Sequence, residues 1–196
     1  MKLTKTQKEN IFNAIMEQIS VMVQNRMLES YTTSDINGNH KVIDMRECPE
    51  TSVIFNNEPE QKEIDNLNKW LRTHKEEYVV LYHGTSAEFP IKEQGLKKTT
   101  YKTKKSYQSE PGYVYLSLFP GSAKFFGEIA YPNKEIAVYP VCIKIKELKP
   151  DYDQLVNKRI AGFDAGDTLA DSLIYGHGAR VKRHINPWEI KEPIEC

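Results

Sequence analysis

Cysteine is scarce and badly placed for any framework. The three residues, Cys48, Cys142 and Cys196, are odd in number, far apart and without a Cys-x-x-Cys pair. That pattern argues against a disulfide scaffold and a zinc site, and leads one to expect free thiols in a reducing compartment, the cytoplasm. Long apolar runs are missing too. No stretch of about 18 apolar residues occurs, so no membrane-spanning helix is expected. The opening MKLTKTQKEN is positive but lacks a following apolar stretch of about 7–15 residues, which argues against a secretory signal. There is no charge of one sign either: 27 basic residues face 27 acidic ones. A globally basic nucleic-acid binder and an acidic tail protein are thereby excluded, although a local basic patch is not. Also absent are a P-loop, GxGxxG, GxSxG and HExxH, any internal repeat and any low-complexity segment.

What is present fits one compact domain, or a core of roughly 120–150 residues carrying an extension. Residues 6–29 have helical periodicity, with Thr6 and Glu9 at capping-box spacing and Ile11, Ile15, Ile19, Met22, Val23 and Met27 on one face. Asp35, Asn37 and Asn39 imitate the start of a calcium loop. His40 stands where that loop needs glycine and Arg46 where it needs glutamate, so Asn37-Gly38 is read as a hairpin turn. A short strand is expected at 51–55. A second amphipathic helix is expected over 59–75, with Ile64, Leu67, Trp70 and Leu71 inward. From residue 78 the pattern becomes strand-like: YVVLY (78–82), GYVYLSL (112–118), IAVYPVCIKI (136–145) and ARVKRHI (179–185). Helices followed by a strand-rich half predict an α+β fold, with an N-terminal helical region (1–75) and a core (76–196) joined without a flexible linker.

Four segments carry chemistry-bearing residues. YHGTS (82–86) sets His83 at a strand end beside the bare backbone of Gly84, which suits a closely approaching ligand; taken alone, the motif fits a simple turn with a satisfied histidine better. In GYVYLSLFPGSAKFF (112–126), alternation sends Tyr113, Tyr115 and Ser117 to one face. Pro120-Gly121 then opens a helix with Ser122 near its positive end and Phe125-Phe126 one turn on, an arrangement for a flat, polar-edged ring or for plain core packing. The stretch 97–110 holds five lysines with Tyr101 and Tyr107 interleaved, readable as a phosphate or nucleic-acid grip or as a solvated loop. Residues 166–190 combine Asp167, Asp171, His177 and His184 with Arg180, Lys182 and Arg183 at no diagnostic spacing. Trp188 and Ile190, after Pro187, read as a packing turn. Cys142 lies in an apolar strand, where packing is its expected role.

Taken in order, LYHGTS (81–86), IKEQGL (91–96), the loop 97–110, GYVYLS (112–117) and SAKFF (122–126) resemble the diphtheria-toxin-type ADP-ribosyltransferases, the branch that includes the poly(ADP-ribose) polymerases. The resemblance spans residues 81–126; residues 1–75 have no counterpart in it. It implies a split-sheet core and NAD as substrate. His83 would bond a ribose hydroxyl, the Gly84 backbone would meet the nicotinamide amide, and Thr85 would complete that motif's contacts. Ser122 would touch the amide as well, and Tyr115 and Phe125 would sandwich the ring. It also implies a third, acidic catalytic residue opening a late strand. Asp171, before SLIY (172–175), is the look-alike, although 168–175 also suits a helix; if ARVKRHI is the counterpart strand, His177 is nearest. A chain departing from the family at that acid is expected to transfer a single ADP-ribose, to a protein side chain or to a nucleic acid. Two alternatives stand beside this. One is a relative of the RNA 2′-phosphotransferases, which INPWEI (185–190) resembles but Tyr115 does not. The other is a catalytically silent fold that binds a ligand or partner.

Overall fold

A computed structural model describes residues 42–43, 53–54, 59–100 and 109–195. The helix expected at 6–29, the turn at Asn37-Gly38 and most of the lysine-rich loop lie outside these residues. The described elements are strand β1 (Val42–Ile43), helix α1 (Gln61–Thr73), strand β2 (Tyr78–Ser86), the single turn α2 (Ile91–Gln94), strand β3 (Val114–Ser117) and helix α3 (Pro120–Ala130). Strands β4 (Ile136–Lys144) and β5 (Leu148–Pro150), helices α4 (Tyr152–Ile160) and α5 (Leu169–Tyr175) and strand β6 (Gly178–Val181) follow. The fold is α+β, as the sequence predicts. Among the described residues no helix is long and apolar enough to cross a membrane.

β2 is the spine of the sheet. Along one edge it pairs antiparallel with β4 over its whole length, from Tyr78 opposite Lys144 to Ser86 opposite Ile136. Its other edge is shared: β1 runs parallel to its first two residues, and β3 meets it antiparallel at Tyr82 and Ser117. β6 and β5 extend the sheet beyond β3. Side chains alternate between faces. Val79, Leu81, Val114, Leu116, Val141, Ile143, Ala179 and Val181 join Ile64, Leu67, Trp70 and Leu71 of α1, and Leu173 of α5, in the main core. The apolar face predicted for the second helix is thus the buried one, and that helix shares the core of the sheet. Val53 and Ile54 are equally buried there, but as a 3₁₀ turn rather than the strand expected at 51–55.

The opposite face of β2 carries α3. Gly84, Ala123 and Gly127 make the crossing, since a Cβ on Gly84 would lie 2.0 Å from the Ala123 carbonyl oxygen. Small residues four apart on the helix, facing a glycine on the strand, let two backbones come this close. Near the C-terminus Glu189, 1% exposed, takes both terminal nitrogens of Arg183, at 2.7 and 2.5 Å. A buried charge needs such pairing. This bridge fixes the 187–189 turn, burying Ile190 but leaving Trp188 56% exposed, so only half of the expected packing turn packs.

Candidate functional site

The pairing of β2 with β3 stops after one residue pair, and that stop creates the site. In an antiparallel ladder successive residues direct their peptide groups to alternate sides. The bond from Ala87 N to the Glu135 carbonyl sets the phase toward β4, so His83 and Thr85 bond β4 while Tyr82, Gly84 and Ser86 face away from it. The bond from Leu118 N to the His177 carbonyl sets the phase between β3 and β6, and leaves the Tyr115 and Ser117 peptides facing β2. Tyr82 and Ser117 pair; the next step would join Gly84 to Tyr115, and there the ladder is not continued. Instead the His83 imidazole enters the gap. Its Nδ1 lies 2.8 Å from the Tyr115 carbonyl oxygen. A carbonyl only accepts, so Nδ1 carries the proton. Burial, outweighing that bond, holds the imidazole pKa below its ordinary value. The ring is neutral, with Nε2 as an acceptor.

The two sides of the gap differ. On the His83 side lies a cleft of about 270 Å³ whose lining includes His83, Thr85, Phe89, Gln94, Lys97 and Tyr131, with Phe89 and Tyr131 edge to face at 5.2 Å. On the other side are the Tyr115 side chain, the Cα of Gly84, and α3 with Ser122 in its first turn. His83 and Tyr115 are therefore neighbours through the backbone, with their rings on opposite faces of the sheet. Tyr115, Ser122 and Phe125 do not line the cleft at His83. Ser122 is half-buried. Phe125 is 49% exposed and meets the edge of Phe126 at 5.5 Å.

The Tyr115 phenol is already partnered. Its hydroxyl donates to Asp153 Oδ2 at 2.6 Å and accepts from Glu110 N at 2.6 Å. Burial first, and then the Asp153 carboxylate, raise its pKa well above the ordinary value, so it stays a donor. Asp153 sits in the first turn of α4, where an acid also suits the helix dipole. It is the carboxylate the fold brings to Tyr115, and sequence reasoning missed it. The available signal was DYD (151–153), with acids opening a helix directly after Pro150.

Asp171 has another role. Residues 169–175 form a helix, not a strand, and the Asp171 carboxylate accepts from Thr168 N at 3.0 Å and Thr168 Oγ1 at 2.5 Å. It is the second half of a capping box and is 4% exposed. His177 holds a positive φ of 50° ahead of β6, lies 4.9 Å edge-on to Phe119, and is pushed down to about 4 by burial. It too is neutral. Arg180 stands directly opposite Tyr115 on β6.

No family model, curated protein or solved structure matches this chain.

Asp151 gives a pH test of this region. It caps α4 by accepting from Gln154 N at 3.2 Å, and it is 6% exposed. Burial above all pushes its carboxyl from 3.8 up to about 6. Between those values the native state keeps a proton that the unfolded chain has lost, so this residue's contribution to stability falls as pH rises through the window. Asparagine keeps the capping oxygen without the charge. Asp151→Asn is expected to match the parent in urea unfolding at pH 3.5 and to exceed it in stability at pH 8. A loss at pH 8 would show instead that Arg180 needs the charge.

Proposed function

We propose that this chain is an NAD-dependent mono-ADP-ribosyltransferase. The observation that supports the reading is the unpaired register step between Gly84 and Tyr115, with the neutral His83 ring fixed beside it. A nicotinamide amide carries a donor and an acceptor, as does the open edge of a strand, and Gly84 offers such an edge next to the α3 N-terminus. His83 Nε2 accepts a ribose hydroxyl proton, holding the sugar in one pose. In the reaction the C–N bond between nicotinamide and ribose breaks and its electron pair stays on the nicotinamide nitrogen, which becomes neutral. A lone pair from the acceptor then bonds the ribose C1′ and the acceptor proton passes to solvent. The leaving group needs no acid, so catalysis is positioning plus electrostatics. The acceptor is a protein side chain or a nucleic acid.

The test is incubation of the folded protein with NAD carrying a labelled adenylate, with and without candidate acceptors. Release of nicotinamide together with transfer of label is the expected result. NAD binding without nicotinamide release would mark a silent binding module. Formation of ADP-ribose cyclic phosphate from a 2′-phosphorylated RNA would mark the phosphotransferase alternative. Neither binding nor turnover ends the proposal.

A further inference from the structure

Arg180 is 3% exposed, and its guanidinium lies over two aromatic rings, 4.0 Å from the Tyr113 centroid and 4.9 Å from that of Tyr152. Ring contacts of this kind attract the charge but accept little hydrogen bonding, so the N–H groups still need acceptors. Among the described residues the ion-pair partner of Arg180 is Glu110, Nη1 to Oε2 at 2.5 Å, and the Tyr115 hydroxyl interacts with it as well. Arg180 Nε is buried with no hydrogen-bond partner among the described residues. A guanidinium presents five N–H groups in a fixed fork, and an orphaned buried donor on it signals a missing oxygen.

The burial of the pair is lopsided. The Glu110 side chain is 48% exposed, so its carboxylate stands between the guanidinium and solvent. Glu110 lies in the stem that joins Thr99 to Tyr113, held by Thr99 Oγ1 to the Glu110 carbonyl at 3.0 Å and Gly112 N to the Thr99 carbonyl at 2.7 Å. These bonds hold the backbone of the stem and do not involve the Glu110 carboxylate.

We infer that Arg180 is a receptor for a phosphate group, and that the Glu110 carboxylate is its resident stand-in, displaced when a pyrophosphate-bearing ligand binds. A pyrophosphate offers several oxygens to the guanidinium fork in place of the Glu110 carboxylate. Arg180 and Tyr115 are directly opposed on one face of the sheet, at a step where side chains approach most closely. A dinucleotide with its nicotinamide against Gly84, on the face that carries Tyr115, would thus carry its pyrophosphate toward Arg180. That identification of the ligand rests on the proposed function; the anion site does not.

The experiment is calorimetric titration of the full chain with inorganic pyrophosphate and, separately, with ADP-ribose. Glu110→Gln is expected to bind pyrophosphate at least fivefold more tightly than the parent, and Arg180→Lys at least tenfold more weakly. Glu76→Gln, a surface control ion-paired with Lys146, should stay within twofold. Unchanged or weaker pyrophosphate binding by folded Glu110→Gln overturns the inference, as does equal tightening in the control. If Arg180→Lys does not fold, the Glu110 arm decides alone. Tighter pyrophosphate binding with no binding of ADP-ribose or NAD leaves the anion site standing and removes the dinucleotide reading.

Discussion

His83→Ala is expected to lower nicotinamide release from NAD by on the order of 100-fold or more. The imidazole does two things that no neighbour duplicates. Its Nδ1–H fills the register step where Tyr115 would otherwise pair with Gly84, and the same bond fixes the tautomer, leaving Nε2 as an acceptor. Alanine removes the acceptor and leaves the Tyr115 carbonyl without its partner, a stability cost of about 1 kcal/mol. That cost is too small to unfold a domain held together by about 5–15 kcal/mol. The activity loss should therefore appear in protein that melts cooperatively. Glutamine can donate to the carbonyl through its amide nitrogen, so His83→Gln should recover stability and little of the activity. Full turnover by the alanine variant would move the chemistry away from the gap.

Gly84→Ala is the substitution with the largest expected structural effect. The added Cβ would stand 2.0 Å from the Ala123 carbonyl oxygen and 2.6 Å from its carbon, both backbone atoms that cannot rotate aside. Overpacking usually costs about 1–3 kcal/mol, and a backbone collision belongs at the upper end, about 3 kcal/mol. For a chain of this size the melting temperature should fall by roughly 10 °C. In urea the midpoint should drop without a change in slope. Because α3 also carries Ser122, its displacement should weaken NAD binding in parallel. Gly121→Ala is the matched control: nothing lies within 4 Å of its Cβ, and alanine favours a helix, so a gain of about 0.5–1 kcal/mol is expected. Equal stability of both variants would mean that α3 does not rest on Gly84.

Periodicity gave the elements their type because it records which face of each will be buried. The 3–4 spacing of Ile64, Leu67, Trp70 and Leu71 marks α1 wherever that helix is placed, and apolar runs mark β2, β3 and β4. Pro120 marks the start of α3 because its fixed φ suits a first helical turn. The reading of 51–55 as a strand went wrong at Val53 and Ile54, which turn as 3₁₀ into the core. Two or three apolar residues in a row satisfy burial in either conformation.

Within the candidate site, the chain order of His83, Gly84, Tyr115 and Ser122 was visible in the amino-acid string, because these residues cluster in one segment. The helix at 169–175 was an open possibility there. Asp171 became a capping residue once that helix formed, since Thr168 three positions earlier claims its carboxylate. Tertiary structure alone decided the rest. Glu110, Asp153 and Arg180 are spread over 71 positions of the chain, yet the order β2–β3–β6 and the packing of α4 gather them around the Tyr115 hydroxyl and the guanidinium opposite it. A local pattern records the face a residue shows; it holds no record of which strand will lie alongside, because strand pairing is settled by burial summed over the whole sheet.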